Sequence, residues 1–205
     1  MSGEIILVRH GRTALNAAGR LQGRVDEPLD AVGRDQASRV SSSLSTIIDE
    51  DTLVISSPLV RARATAEAFG RPVEIDERWI EMSYGVFDGV PQGDVAPEVW
   101  ARWRSDLHFA PDGGESLSAV STRVHAACDE LRNRALGRRI VVVSHVSPIK
   151  AAIAWALGTD SSTSWRMRLD TAGVTRLSVS RAGVALTSFN EVHHLAVDPE
   201  RRPDA

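Results

Sequence analysis

The chain has 205 residues, of which 42% are hydrophobic and 25% charged, with a formal net charge of -3. This charge does not favour a nucleic-acid or membrane partner, and the sequence has no apolar run long enough to cross a bilayer. Cys128 is the single cysteine, which excludes an internal disulfide, and it falls on the apolar face of a predicted helix. The length suits one α/β domain over residues 1–197, followed by a disordered tail at 198–205.

The first predicted element is a buried strand that ends abruptly in polar residues. Ile5 to Val8 are four consecutive apolar residues, which is typical of a central strand, and Arg9-His10-Gly11 follows directly. Open α/β sheets bind ligands beyond the carboxyl ends of their strands, so this turn is a candidate site. The alternative is a strand that meets solvent with ordinary polar residues. Because the strand begins by residue 5, a signal peptide has no room, and a cytoplasmic protein is expected.

Strands and helices alternate along the chain. This alternation predicts an α/β fold of three layers, with a mostly parallel central sheet, helices on both faces and a small lid region at 91–111. The last two strands are predicted to form a hairpin. The predicted strands are 5–8, 53–55, 72–75, 139–144, 174–179 and 184–189, and the predicted helices are 13–19, 37–48, one opening at 56–59, 95–103, 116–136 and 149–157.

Three of the predicted strands end in a polar signature. In a parallel sheet these ends share one edge, where two imidazoles and two guanidiniums would meet without an acidic residue from the strand ends. Such a cationic cluster predicts a phosphate pocket, because arginine binds phosphate oxygens through paired hydrogen bonds. The strand ends are Arg9-His10-Gly11, Ser56-Ser57-Pro58 and Ser144-His145, and the second guanidinium is that of Arg61.

A histidine in such a pocket is either a hydrogen-bond donor or a nucleophile. Nearby cations favour the neutral imidazole, whose lone pair can attack phosphorus. The leaving oxygen then needs a proton from a carboxyl group, for which Glu81 and Glu115 are the candidates. From the residues alone, an ordinary salt bridge for Glu81 and a helix start for Glu115-Ser116 remain open. The remaining histidines lack the spacing of metal ligands, so no metal and no cofactor is predicted.

The sequence motifs together resemble those of the histidine phosphatase superfamily, in its phosphoglycerate-mutase-like branch. The resemblance runs from about residue 4 to about residue 190, with the motifs in the family's order. They are Leu7 to Thr13 with Asn16, Leu21-Gln22-Gly23, Asp26 to Leu29, Ser56 to Leu59 with Arg61 and Thr65, Glu81 with Gly85, Phe87 and Gly89, Gly113 to Ser116, and Val143-Ser144-His145.

The resemblance implies a role for each matching residue and needs no metal. It makes His10 the phosphorylated nucleophile and Glu81 the proton donor. The residues implied to bind the phosphoryl group are Arg9, Arg61, His145 and Asn16, and those implied to line the entrance are Thr13, Gln22 and Gly23.

One segment departs from the family's common pattern and bears on the substrate. Members often continue with two glycines after the second histidine, whereas here Val146 to Lys150 follows, which resembles bacterial α-ribazole-phosphatase-like domains. The stretch between Gly89 and Gly113 is also shorter than in the mutases, which favours hydrolysis. The expected activity is a phosphatase acting on a small phosphorylated metabolite. A cofactor-dependent phosphoglycerate mutase and a catalytically silent binding protein are the alternatives, and the dimers common in related proteins suggest a homodimer.

Overall fold

The structure of the protein, a computed structural model, describes residues 2–196, so the predicted tail at 198–205 lies outside the described residues. The strands within this range are β1 (Gly3–Arg9), β2 (Leu53–Ser56), β3 (Val73–Ile75), β4 (Arg139–Ser144), β5 (Val174–Ser180) and β6 (Gly183–Glu191). The helices are α1 (Ala14–Ala17), α2 (Ala31–Leu44), α3 (Val60–Glu67), α4 (Pro97–Ser105), α5 (Leu117–Arg134) and α6 (Val146–Leu157). All six predicted strands are present.

The six strands form one mixed sheet in the order β3-β2-β4-β1-β5-β6. The pairs β3–β2, β2–β4 and β4–β1 are parallel, whereas β5 and β6 continue the sheet as an antiparallel hairpin. The four parallel strands confirm the expectation of a mostly parallel sheet. Their carboxyl ends lie at the same edge, with Arg9 of β1 paired with Ser144 of β4.

The two central strands are buried on both faces, which explains their unbroken apolar sequence. Ile5 and Leu7 of β1 pack with residues of α5 and α6, whereas Ile6 and Val8 pack with residues of α2 and α3. Alternation along the strand therefore sends successive side chains into two separate cores. The three predicted layers are confirmed, and within residues 2–196 every helix is too short or too polar to traverse a bilayer.

Two helix boundaries differ from the prediction in a way that matters for the site. Helix α6 begins at Val146 rather than Ile149, directly after His145, and accommodates Pro148 in its first turn. Proline is tolerated there because the first helical N–H groups have no partner within the helix. Helix α3 begins at Val60, so Pro58 precedes it rather than opening its first turn.

The turn after β1 is held by a close approach of two glycines. A Cβ on Gly11 would lie 2.3 Å from the carbonyl oxygen of Gly33. We expect Gly11→Ala to lower the free energy of unfolding by about 2 kcal/mol or more, because the backbone of α2 must move away. Chemical denaturation measures this change. Gly93→Ala is the control, since its Cβ would meet nothing within 4 Å and should cost less than about 0.5 kcal/mol.

Candidate active site

The side chains that follow the parallel strands meet at the carboxyl edge of the sheet. The backbone N–H of His10 donates to the carbonyl of Ser144 at 3.0 Å, which fixes the end of β1 against the end of β4. The imidazole rings of His10 and His145 lie 5.0 Å apart between centroids. The guanidinium of Arg61, on α3, lies 3.3 Å from His10. All three side chains are buried, as the convergence of strand ends predicts.

The hydrogen bonds of His10 define its tautomer. Its Nδ1 lies 2.7 Å from the carbonyl oxygen of Gly11, which can only accept, so Nδ1 carries the proton. Its Nε2 therefore presents a lone pair, towards which Arg61 Nε donates. Burial, followed by the charges of Arg61 and Arg9, holds the pKa of His10 well below its usual value. The ring is thus neutral at physiological pH and retains the electron pair that a nucleophile needs.

Two arginines bring positive charge to this imidazole, and backbone carbonyls orient both. Arg61 donates from its two terminal nitrogens to the carbonyls of Gly23 and Val25, each at 2.8 Å. Burial lowers the pKa of Arg61 to about 10, which leaves it charged at neutral pH. Arg9 donates from Nη1 to the carbonyl of Leu169 at 2.6 Å, and its buried Nε has no partner among the described residues. The free donor suits an anion.

His145 is oriented by a serine from the neighbouring strand end. Its Nε2 lies 2.7 Å from the hydroxyl of Ser57, which accepts the backbone N–H of Leu59. The Ser57 hydroxyl can therefore donate to Nε2, which leaves the proton on Nδ1. That buried Nδ1 has no partner within residues 2–196. Burial and the charges of Arg61, His10 and Arg9 lower the pKa of His145, so it offers a neutral N–H to an oxyanion.

Glu81 is held at the N-terminus of α6. Its Oε1 accepts the backbone N–H groups of Met82 at 2.7 Å and Ser147 at 3.2 Å, and its Oε2 accepts that of Val146 at 3.1 Å. The Val146 and Ser147 donors belong to the first turn of α6, whose N–H groups have no partner within the helix and so hold the carboxyl oxygens in place. The early start of α6 therefore positions this side chain, which forms no salt bridge with any described residue.

The second candidate carboxylate lies outside the cluster. Glu115 is ion-paired with Arg24 at 3.1 Å and Arg123 at 2.9 Å. Both of its carboxylate oxygens accept hydrogen bonds from these two arginines, whereas those of Glu81 accept only from backbone amides. Glu115 therefore has a structural role in an ion pair. Ser116 caps α5 by accepting the N–H of Ala119, as the interpretation of a helix start predicts.

A cavity of about 120 Å³ lies at the cluster. Its walls include Asn16, Gln22 and Gly23, which the sequence resemblance assigned to substrate binding. His145 is fully buried and outside this wall, and so is Thr13, which the resemblance placed at the entrance. Its hydroxyl caps α1 and donates to Gln22, so Thr13 supports an entrance residue from behind. The lining residues are Arg9, His10, Asn16, Arg20, Leu21, Gln22, Gly23, Arg61, Glu81, Tyr84, Gln92 and Val146.

Several contributing residues were not assigned a role from the sequence. Ser57 and Thr65 orient groups from behind the cavity, the latter by accepting the N–H of Gly11 at 3.1 Å. Tyr84 is the single tyrosine of the chain and lines the cavity from a segment without periodicity. The polar strand end gave a signal for Ser57, whereas nothing in the pattern singled out Tyr84. Arg63 is exposed, as predicted for a solvated helix face.

Residues 2–196 contain no group of three or more histidine, cysteine or carboxylate side chains arranged to hold a metal ion. Cys128 is buried in the core under α5, and burial raises the pKa of its thiol. This environment suits a small apolar side chain and confirms that interpretation of Cys128 over that of a nucleophile.

The two buried histidines should make the folded protein sensitive to acid. Their pKa values in the folded protein are lowered, so below about pH 6.5 the unfolded chain binds more protons than the folded protein does. As pH falls through this range, each histidine reduces the free energy of unfolding with a slope that approaches about 1.4 kcal/mol per pH unit. We expect the free energy of unfolding of His10→Gln to fall less steeply than that of the wild type between pH 7 and 5, because one fewer proton is taken up on unfolding. Urea titrations at several pH values measure this slope. His108→Gln, at an exposed position, is the control.

Comparison with known proteins gives a consistent result over nearly the whole chain. The family model of the histidine phosphatase superfamily, branch 1, matches residues 5–192. Phosphoserine phosphatase 1 of Hydrogenobacter thermophilus is 33% identical over 200 residues, covering 94% of each chain.

Solved structures with the same fold include two further proteins described as phosphatases. A phosphoserine phosphatase mutant of Entamoeba histolytica, crystallised with phosphoserine, superposes with a TM-score of 0.86 at 28% identity, covering 94% of this chain and 99% of that one. An Escherichia coli protein provisionally described as an α-ribazole-5′-phosphate phosphatase superposes with a TM-score of 0.82 at 28% identity, covering 92% of this chain and 96% of that one. The resemblance inferred from the motifs is confirmed.

Proposed function

The chain belongs to the histidine phosphatase superfamily and is a phosphoric monoester hydrolase, and we propose that it acts on a small phosphorylated metabolite through a phosphohistidine at His10. The observation that carries this mechanism is the environment of His10. A neutral imidazole turns its lone pair towards a guanidinium in a cavity that also contains Arg9 and Glu81. Cation-rich pockets of this kind stabilise the charge on a transferring phosphoryl group.

In the first chemical step, the phosphoryl group moves from the substrate to the imidazole. The Nε2 lone pair of His10 attacks phosphorus, a P–N bond forms and the P–O bond to the alcohol breaks. Glu81 donates its carboxyl proton to the departing oxygen, so the product leaves as an alcohol. Arg9, Arg61 and the Nδ1–H of His145 bind the phosphoryl oxygens throughout, and Asn16 offers a further donor at the cavity wall.

In the second step, water releases phosphate. The Glu81 carboxylate accepts a proton from water, whose oxygen attacks phosphorus as the P–N bond breaks. Inorganic phosphate leaves, His10 regains its lone pair and Glu81 regains its proton, which completes the cycle. Side chains supply the nucleophile, the proton donor and the phosphate-binding groups of both steps, so we expect a chelator to leave turnover unchanged.

The experiment that tests this mechanism is capture of the intermediate. Rapid acid-free quenching of a reaction with ³²P-labelled substrate should yield protein-bound phosphate that is stable to alkali and labile to acid, located at His10 by peptide mapping. Turnover without any such label, or a label on another residue, contradicts the mechanism. Isomerisation of 3-phosphoglycerate that requires 2,3-bisphosphoglycerate would instead favour the mutase alternative, and tight phosphate binding without any turnover would favour the silent binding protein.

A further set of predictions concerns the protein as a whole. We propose that residues 1–197 act as one catalytic domain, that the protein works in the cytoplasm, and that it forms a homodimer. Limited proteolysis, cell fractionation and sedimentation equilibrium test these three proposals in turn.

A further inference from the structure

A second cavity of about 200 Å³ lies beside the catalytic one. Four residues, Leu21, Tyr84, Gln92 and Val146, line both spaces, so the two cavities border each other directly. A phosphate ester bound with its phosphorus at His10 has to direct its alcohol part away from the arginines. The second cavity is the adjoining space that can receive it.

Aromatic and apolar side chains form most of this second wall. Trp100 and Trp103 come from α4, and Trp165 comes from the turn at Ser161–Arg166. The ring centroids of Trp100 lie 5.3 Å from those of Trp103 and 6.3 Å from those of Trp165. Met82 and Leu117 complete the apolar lining. Such walls favour a flat or compact apolar group, because contact with it removes apolar surface from water.

A single cation projects from α6 into this apolar setting. Lys150 is the chain's only lysine and lies four residues after Val146, on the same face of the helix. Helical side chains lean towards the N-terminus of their helix, which here leads towards Glu81. The side chain is partly buried, and within residues 2–196 it makes no hydrogen bond or ion pair. Burial lowers the pKa of Lys150, and the charge of Glu81 partly opposes this effect.

The cavity offers hydrogen-bond donors but no carboxylate. None of its lining residues in the described part of the chain is acidic. Its neutral hydrogen-bonding side chains include those of Gln92, Ser147 and Ser164. Glu81 acts on Lys150 only from a distance, because no carboxylate of the described residues is within ion-pair range of the ammonium group. Removing an ammonium group from water without a direct ionic partner is unfavourable, so a ligand carboxylate that pairs with it here is stabilised.

We propose that Lys150 forms a carboxylate-binding subsite for the alcohol part of the substrate, and that the enzyme prefers phosphate esters of apolar hydroxy acids. This inference rests on the proposed phosphatase function and specifies its substrate class. One lysine and neutral donors match a singly charged carboxylate better than a second phosphate, which carries nearly two charges and attracts arginine clusters. The absence of an acidic lining residue also disfavours an alcohol part that carries an ammonium group.

The test uses two esters that differ only in charge. They are 3-carboxyphenyl phosphate and 3-carbamoylphenyl phosphate, in which a neutral amide replaces the carboxylate at nearly the same size. We expect the wild-type protein to prefer the carboxylate. We expect Lys150→Met to reduce kcat/KM for the carboxylate about 10- to 100-fold, mainly through KM, and to change the amide less than about threefold. Lys150→Arg should retain much of the preference because it keeps the charge.

Arg104→Met is the matched control, because Arg104 is an exposed cation whose guanidinium lies 5.8 Å from the Trp165 ring and outside the cavity lining. It should leave the preference intact. Equal losses for both esters in Lys150→Met would assign Lys150 to positioning Glu81 and overturn the subsite, as would no loss for either. Labelling of His10 by both esters without a carboxylate preference defeats this inference alone, whereas turnover without label at His10 defeats the proposed mechanism.

Discussion

Replacing His10 with alanine should reduce kcat by at least about 10⁴-fold, since loss of a covalent nucleophile removes the reaction path itself. The structure contains no second imidazole that could replace it within the described site. His145 is 5.0 Å away between ring centroids, but its Nε2 is occupied by Ser57 and its Nδ1 bears the proton. Steady-state release of 4-nitrophenol from 4-nitrophenyl phosphate measures the loss, and discontinuous phosphate assays extend the range.

Binding measurements separate lost chemistry from lost structure in this variant. The donors assigned to the phosphoryl group belong to Arg9, Arg61 and His145, which remain when His10 is removed. We therefore expect His10→Ala to bind inorganic phosphate within about tenfold of the wild-type affinity in calorimetry, because one lost uncharged contact is worth about that much. His108→Ala, an exposed position, should retain full activity. More than about 1% residual activity in His10→Ala is incompatible with a nucleophilic His10.

The sequence was most informative where strand ends carry both a structural and a chemical signal. The apolar run at Ile5 to Val8 has to be buried on both faces, and burial at the centre of a parallel sheet determines where Arg9 and His10 emerge. Ser144-His145 follows the same logic one strand away. The prediction that these ends meet needed only the rule that parallel strands share an edge.

The position of Glu81 could not be derived in this way. It lies in a segment without periodicity, and its partners are backbone amides of Val146 and Ser147, which any residue type provides. The helix that offers these amides also starts before the predicted Ile149, because Pro148 is accommodated in its first turn rather than marking its boundary. The resemblance to the family suggested Glu81, and the start of α6 explains why the side chain is held there.

The second cavity could not be predicted either, because its lining residues come from several distant segments of the chain. Trp103, Lys150 and Trp165 line one cavity although each has an ordinary local environment in its own segment. Thr13 was given two roles, because it begins the helix predicted at 13–19 and the resemblance also placed it at the entrance. The structure uses its hydroxyl as the cap of that helix. A motif identifies which residues a family needs, but the direction of a side chain depends on contacts made across the fold.

The role proposed for Glu81 makes activity depend on the leaving group. An alkyl alcohol is a poor leaving group that requires a proton as the P–O bond breaks, whereas 4-nitrophenolate is stable without one. General acid catalysis contributes about 10²- to 10⁴-fold when the proton is needed. The same side chain then serves as base for water, so its loss should slow the second step for every substrate.

Glu81→Gln should therefore lower kcat/KM for an alkyl phosphate about 10³-fold and for 4-nitrophenyl phosphate less than about tenfold, because kcat/KM reports the first step. With the aryl ester, the slow second step should produce a burst of 4-nitrophenol equal to the enzyme concentration, followed by slow turnover. Stopped-flow absorbance measures both phases. The matched control is Glu115→Gln, since Glu115 is ion-paired with Arg24 and Arg123 away from the cavity and should show neither effect. Equal losses for both esters without a burst would remove Glu81 from proton transfer and leave it only a structural contact with α6.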